Sequence, residues 1–470
     1  MAIRLAAKGY SVDVYEKNEG PGGKLSEFTA NGYRFDAGPS LFTMPELVNE
    51  LFELMGEDPQ NSFKYERLDE ICNYFFEDGI KYSTYSDLNK TAEAMSDATG
   101  EPKENIIRFL AQSKKMYDLT ADFFIFSSLN DYKKYFGWSA LQKLIQIRHL
   151  KMNQTMYDSL KEYFKTNHVI EHFSRYATYN GSDPYRAPAT LNVIPNLEYY
   201  LGAYLPQNGM FDITKSLVAL GERNGVKYHY NSPVEKILND GKKVVGLIIG
   251  QEKLNYDIVV SNIDIHYVYN QLLPNLQKPK KILETERSSS VLVFNWGIKH
   301  QFKELGLHNI FFSQDYRKEF QSLFVKKDIS FDPTTYIFIS SKNIPTDAPP
   351  SCENWFTLVN APANISQDWK EIIDRTRKNV IQKLSRILNQ NIEPLIESET
   401  ILSPPIIEST TGSFQGALYG SSSNSKWSAF LRHSNKSSQL KNLYFIGGSV
   451  HPGGGIPLSL SSAKIVDKWI

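Results

Sequence analysis

Glu16 closes the run Tyr10-Ser-Val-Asp-Val-Tyr-Glu16. An acid at the end of an alternating, β-branched run is placed to accept both hydroxyls of an adenosine ribose, although a surface glutamate after any strand looks the same in isolation. Gly20-Pro-Gly-Gly-Lys24 follows. At Gly22 and Gly23 no Cβ keeps backbone amides from a pyrophosphate, and Lys24 adds a cation. A second cluster, Gly32-Tyr-Arg-Phe-Asp-Ala-Gly-Pro-Ser40, presents Gly38, Pro39 and Ser40 a few residues later. At the far end of the chain, Asn442-Leu-Tyr-Phe-Ile-Gly-Gly448 runs as a buried-type strand into Gly447 and Gly448. His451-Pro-Gly-Gly-Gly-Ile-Pro457 then places Gly454, Gly455, Ile456 and Pro457 ahead of a helix-like Leu458–Val466. A strand, a glycine loop and a helix N-terminus bind anions and ring edges through backbone amides. The two ends of the chain are therefore expected to build one dinucleotide site. No catalytic dyad stands out, and His451 reads as a group that orients backbone rather than one that carries protons. No catalytic residue and no metal ligand is assigned.

The elements that must position these residues follow from pattern. Residues 2–8 are helix formers and Gly9 is a stop. Val226–Tyr230, Val234–Ile237, Val244–Ile249 and Ile258–Ser261 read as strands, and Gly209–Leu220 as the helix that returns the chain to them. Residues 101–175 look mostly helical, and Ser290–Lys299 and Thr334–Pro362 look β-rich. The expected fold class is α/β. A discontinuous Rossmann-like domain (1–65, 210–285 and 410–470) carries the cofactor, and a mixed helical and β-sheet domain (66–209 and 286–409) takes the substrate and any membrane contact.

Length and composition narrow the class. A chain of 470 residues suggests two or three domains, and 41% hydrophobic residues with 27 Tyr, 27 Phe and 6 Trp exclude long disorder. Lys plus Arg and Asp plus Glu both number 52, so there is no global pull toward nucleic acid. Cys72 and Cys352 read as buried small hydrophobes in a reducing cytoplasm, not as a disulfide scaffold. No apolar run is long enough to span a bilayer. One stretch departs from the neutral average: Tyr132 to Tyr157 has no acid, five cations (Lys133, Lys134, Lys143, Arg148 and Lys151) and many interleaved aromatic and aliphatic residues. Such a segment suits the membrane interface, here the inner face of the cytoplasmic membrane; a packed helix with solvated cations is the alternative.

The pieces Tyr15-Glu-Lys-Asn18, Gly22-Gly-Lys24, Phe35-Asp-Ala-Gly-Pro-Ser40 and His451-Pro-Gly-Gly-Gly-Ile-Pro457 resemble the carotenoid desaturases, phytoene-desaturase-like flavoproteins of the amine-oxidase-like superfamily. Tyr176-Ala-Thr-Tyr-Asn-Gly-Ser-Asp-Pro184, Ile194-Pro-Asn-Leu-Glu198, Thr346-Asp-Ala-Pro349 and Gly416-Ala-Leu-Tyr-Gly420 extend the resemblance over nearly the whole chain. Ser288-Ser-Ser290, Leu307-His-Asn-Ile-Phe-Phe312, Phe414–Ser423 and Phe430-Leu-Arg-His433 are similar to the flavobacterial branch of 1-hydroxycarotenoid 3,4-desaturases. The resemblance implies FAD as cofactor and a lipophilic acyclic carotenoid as substrate. It implies that Glu16 holds the ribose, Val234 the adenine, Gly22, Gly23 and Lys24 the pyrophosphate side, and Gly447 and Gly448 the ribityl phosphate. Gly38, Pro39, Ser40 and Gly454 through Pro457 would meet the flavin. Arg175, Tyr179 and Asp183 either face the substrate or form a salt-linked loop.

The sequence departs from the family pattern twice. The opening strand and G-x-G-x-x-G are absent because Met1 falls inside the first helix, so roughly 20 residues are expected to be missing. Asn208 stands where relatives carry a glycine, a mild change because Asn tolerates positive φ. Phytoene desaturation, carotenoid isomerisation or oxygenation on the same scaffold, and a truncated chain unable to bind FAD, stay open as alternatives.

Overall fold

The computed structural model describes residues 1–128, 153–425 and 432–470. The basic, aromatic stretch 132–157 thus lies outside the described residues except for its last five positions. The fold is α/β. Near the chain ends, short parallel pairs dominate. Asp13–Tyr15 pairs with Lys227–His229, and Val259–Ser261 pairs with Leu443–Phe445. The first strand is shorter than the run that predicts it. Val234 falls just ahead of its expected strand, Lys236–Asn239. The helix Asp212–Arg223 buries Ile213, Ser216 and Leu220 along one stripe, and Gly225 at φ +81° turns the chain out of it.

A seven-stranded sheet forms the other half. Its order is Ile396–Leu402, Ser290–Ile298, Glu353–Ala361, Thr335–Phe338, His308–Phe311, Glu70–Phe75 and Lys81–Tyr85, antiparallel except where His308–Phe311 runs parallel to Glu70–Phe75. The inner strands are apolar on both faces because both are covered. Leu292, Phe294, Trp296, Ile337 and Val359 pack with Ile372, Val380 and Leu384 of the helix Trp369–Ile387. The alternate residues, Val291, Val293, Ile310, Phe338 and Phe356, point to the opposite face, which meets the helical elements around Phe173 and Leu191. The period of two along each strand gives one sheet two unlike sides.

A hairpin, Glu27–Ala30 with Tyr33–Asp36, joins the halves. Tyr33 lies over Gly297, where a Cβ would come within 2.4 Å of its ring. Arg34 donates to Glu27, Asp36 and Asp347 at 2.6–3.1 Å, and its carbonyl accepts from Asn354 Nδ2 at 2.6 Å. The guanidinium also lies against Gly209, which carries φ +84°; Asn208 has no positive φ, so its tolerance has a different cause from the expected one. Cys72 is buried, whereas Cys352 is only half-buried, against expectation.

Among the described residues no helix is long and apolar enough to cross a membrane. Arg34→Met leaves the buried carboxylates of Asp36 and Asp347 without their cation. We expect it to destabilise the protein by about 3–5 kcal/mol, read from the midpoint of urea unfolding.

Candidate active site

One cavity of about 2610 Å³ runs through the molecule. Ordinary small-molecule pockets are several times smaller, about 300–1,000 Å³. All fourteen residues expected at the cofactor line it: Glu16, Gly22, Gly23, Lys24, Gly38, Pro39, Ser40, Val234, Gly447, Gly448, Gly454, Gly455, Ile456 and Pro457. The same cavity continues beneath the sheet, where Val291, Val293, Ile310, Phe356 and Leu358 face Leu191, Ile194 and Leu197. Polar walls at one end thus open into an apolar chamber at the other.

At the polar end the glycines divide into two kinds. Some are required by packing: a Cβ on Gly38 would lie 1.6 Å from the Lys24 carbonyl oxygen, and one on Gly454 would lie 2.7 Å from the Tyr419 ring. Others face open space: Gly23 (φ +57°) and Gly455 (φ +100°) have nothing within 4 Å of that position. Gly455 begins the twelve-residue helix Ile456–Asp467, which has no side-chain cap, so its first N–H groups are open to the cavity. Arg432 braces this region from behind, donating to the Tyr419 carbonyl at 2.6 Å and to the Ser421 carbonyl at 3.0 Å. His451 donates Nε2–H to the Ser127 carbonyl at 2.8 Å and burial lowers its pKa, which agrees with an orienting role.

Glu16 accepts the Asn18 N–H at 2.9 Å. Lys24 Nζ donates to Ser413 Oγ at 2.9 Å and to the Leu418 carbonyl at 3.1 Å, both neutral, and has no carboxylate partner among the described residues. Burial pushes its ammonium down to about 8; Asp264 opposes that shift and Arg287 adds to it. Asp264 and Arg287 themselves form a buried ion pair that sequence reasoning did not find, because 23 positions and no motif separate them.

Two hydrogen-bonded clusters reach the chamber wall. Arg175 donates to Tyr74 and Tyr176 at 2.6 and 2.9 Å, to Tyr179 at 2.9 Å and to Glu198 at 3.2 Å, a buried network that leaves Arg175 Nε unpaired among the described residues. Of the three residues expected here, Arg175 and Tyr179 line the cavity and Asp183 does not. The arrangement is the salt-linked one, formed on the cavity wall. The second group, also unforeseen, is a relay: Ser40 Oγ to Tyr336 OH at 2.7 Å, and Tyr336 OH to His308 Nδ1 at 2.7 Å.

The family model described as flavin containing amine oxidoreductase matches residues 1–466. The chain belongs to this family. The flavin-containing amine oxidoreductases supply relatives of high coverage. A 1-hydroxycarotenoid 3,4-desaturase of Flavobacterium sp. (strain P99-3) is 44% identical over 99% of this chain and 95% of its own length. A phytoene desaturase of Phycomyces blakesleeanus is 31% identical over 100% of this chain and 82% of its own length. An oxidoreductase of known structure from Methanosarcina mazei shares the fold at a TM-score of 0.63 and 12% identity, over 100% of this chain and 96% of that one. Membership makes the cofactor FAD. The residues suit it: an uncapped helix N-terminus, glycines with free space beside them, and a cation without a carboxylate face one cavity long enough for a dinucleotide.

Two outcomes are expected of the cradle. Gly38→Ala cannot be accommodated against the Lys24 backbone and should abolish flavin retention, measured as cofactor per protein after purification. Lys24→Met should act with opposite signs on two quantities. A folded-state pKa below the ordinary 10.5 means that the buried charge is a penalty, full below about pH 8 and relieved as pH rises toward 10.5. The flavin-free variant should therefore melt higher than wild type at neutral pH. Its flavin affinity should fall by about 10- to 100-fold, and wild-type affinity should weaken as pH rises through about 8.

Proposed function

We propose that this chain is an FAD-dependent desaturase of acyclic carotenoids that introduces the C-3,4 double bond of a 1-hydroxycarotenoid. The observation that carries the reading is the continuity of the cavity. A cradle of glycines and one cation opens, without a break, into an elongated apolar chamber suited to a polyene. The 44% identical relative, a 1-hydroxycarotenoid 3,4-desaturase, supports the choice of substrate.

In this reading Glu16 holds the adenosine ribose and Val234 meets the adenine. Gly22, Gly23 and Lys24 line the pyrophosphate side, Gly447 and Gly448 the ribityl phosphate, and Gly38, Pro39, Ser40 and Gly454 to Pro457 the flavin ring. Residues 1–65, 210–285 and 410–470 form the cofactor domain, and 66–209 and 286–409 the substrate domain. When bound, FAD supplies a two-electron acceptor for hydrogen removed from the carbon skeleton. Positive charge that develops beside the polyene spreads along it, so no strong base is required of the protein. The work of the chain is to hold two adjacent carbons in register with the cofactor and to keep water out. The apolar sheet face does both.

The substrate is lipid-soluble, and we assign its delivery to the acid-free stretch 132–157, lying at the inner membrane surface on the cytoplasmic side. Five cations among aromatic and aliphatic residues suit an anionic interface.

Protein expressed from the full reading frame with a panel of acyclic carotenes should convert the 1-hydroxylated members to products lacking two hydrogens, read by mass analysis of the pigments. Turnover of phytoene with none of any 1-hydroxy substrate would overturn the reading. Replacing Lys133, Lys134, Lys143, Arg148 and Lys151 by Gln should weaken co-sedimentation with anionic vesicles by ~10-fold or more, and leave the weaker binding to neutral vesicles unchanged.

A further inference from the structure

The carbon skeleton imposes a geometric demand. In a 1-hydroxycarotenoid the hydroxyl-bearing carbon, C-1, is two bonds from C-3, the first of the two carbons that change. Whatever group reads the hydroxyl must therefore sit beside the reacting carbons, not at the remote end of the chamber. It must also lie in a wall that is otherwise apolar, with a polar atom left free for the substrate.

His308 meets each condition. It starts the strand His308–Phe311, and the period of two puts it on the same sheet face as Ile310, the face that lines the chamber. It is 4% exposed, and its Nε2 has no hydrogen-bond partner among the described residues. Its Nδ1 is bonded to Tyr336 OH at 2.7 Å, and Tyr336 OH is bonded to Ser40 Oγ at 2.7 Å. The relay ties the imidazole to the segment Gly38–Ser40 that we assign to the flavin ring, so His308 stands at the junction of cradle and chamber. Nearby, the guanidinium end of Arg175, the Glu198 carboxylate and the Tyr179 hydroxyl bond among themselves; Arg175 Nε and Thr190 Oγ1 also lack partners among the described residues, but it is His308 that the relay ties to Ser40.

We infer that His308 Nε2 is the specificity-determining contact for the hydroxyl group of the substrate. The inference rests on the proposed function and names the residue that reads the feature separating this substrate from a plain hydrocarbon. The chemistry matches in either tautomer. If Tyr336 donates to Nδ1, Nε2 carries the proton and donates to the hydroxyl. If Nδ1–H donates to Tyr336, Nε2 accepts the hydroxyl proton. Burial holds the imidazole neutral, with its pKa down at about 3, so no counter-ion is required of the ligand. A hydrocarbon end would leave a buried nitrogen unpaired against an apolar surface, and sites built to bond a hydroxyl discriminate against analogues that lack it.

The test is the ratio of dissociation constants for an acyclic carotene and its 1-hydroxy derivative. It is read by quenching of tryptophan fluorescence on the flavin-loaded full chain in detergent. The wild type should favour the hydroxylated ligand. His308→Leu and His308→Phe, which bracket the imidazole in volume, should lower that preference by about 10- to 100-fold through weaker binding of the hydroxylated ligand alone. His308→Gln, which keeps a donor and an acceptor, should restore part of it. A wild-type preference that survives in His308→Leu or His308→Phe overturns the assignment to His308 and leaves the desaturase reading standing. A wild type that binds both ligands equally also overturns the assignment to His308, whereas the desaturase reading falls only if no 1-hydroxy substrate is converted. A second measurement needs no variant. In protein labelled with 15N-histidine, the 1-hydroxy ligand should move one imidazole resonance that the hydrocarbon leaves in place, and the absence of such a shift overturns the inference.

Discussion

The backbone of Gly38 passes so close to Lys24 that the two segments form one structural unit. A Cβ at position 38 would fall 1.6 Å from the Lys24 carbonyl oxygen, so only glycine permits the contact. Much of the site hangs from it. Lys24 ends the first glycine turn, and Gly38 follows the strand Tyr33–Asp36 after Ala37. That strand is seated on the large sheet by Tyr33 over Gly297 and by the Arg34 cluster of carboxylates. The cradle is therefore held against the chamber by close main-chain contact and a buried guanidinium, and Ser40 arrives at the boundary between them as a result.

The seven-stranded sheet does the complementary work through its two-residue period. Val291 and Val293 of Ser290–Ile298 and Phe356 and Leu358 of Glu353–Ala361 face the cavity, and Leu292, Phe294, Trp296 and Val359 face the helix Trp369–Ile387. A wall apolar on both sides is rigid because both sides are packed, which lets a long hydrophobic void persist beside it. Into this wall the fold places few polar groups, and nearly all their terminal atoms are paired. Lys24 is the contrasting case, a charge held with only neutral oxygens for company.

The residues that line the polar end of the cavity were legible in the sequence because what they offer belongs to the backbone. Close approach and positive φ leave glycine at fixed positions, and Gly22, Gly23, Gly447 and Gly455 all carry positive φ. The acid Glu16 and the cation Lys24 stood beside such glycines and could be read with them. What the sequence could not display were pairings between distant residues: Ser40 with Tyr336 and His308, Asp264 with Arg287, Arg175 with Glu198. None has a local signature, since each partner sits on its own element for ordinary reasons of strand or helix pattern. Two expectations failed for related reasons. The positive φ falls on Gly209, not Asn208, and the Arg34 guanidinium leaves no room for a side chain at Gly209. Cys352 follows a turn at the foot of its strand and stays half in solvent.

The cavity joins residues 16–40 to residues 447–457. On the ribosome the first of these segments emerges about 400 residues before the second. The glycine turn and the hairpin are made first, when the loop and helix that close the cradle do not yet exist. A cofactor that needs both segments can therefore be held only once the second has been made. Until it binds, the cell holds a protein with a desolvated ammonium and an open apolar chamber, a form that chaperones and proteases are equipped to recognise. Flavin supply would then set not only how much of this protein is active but how much of it endures.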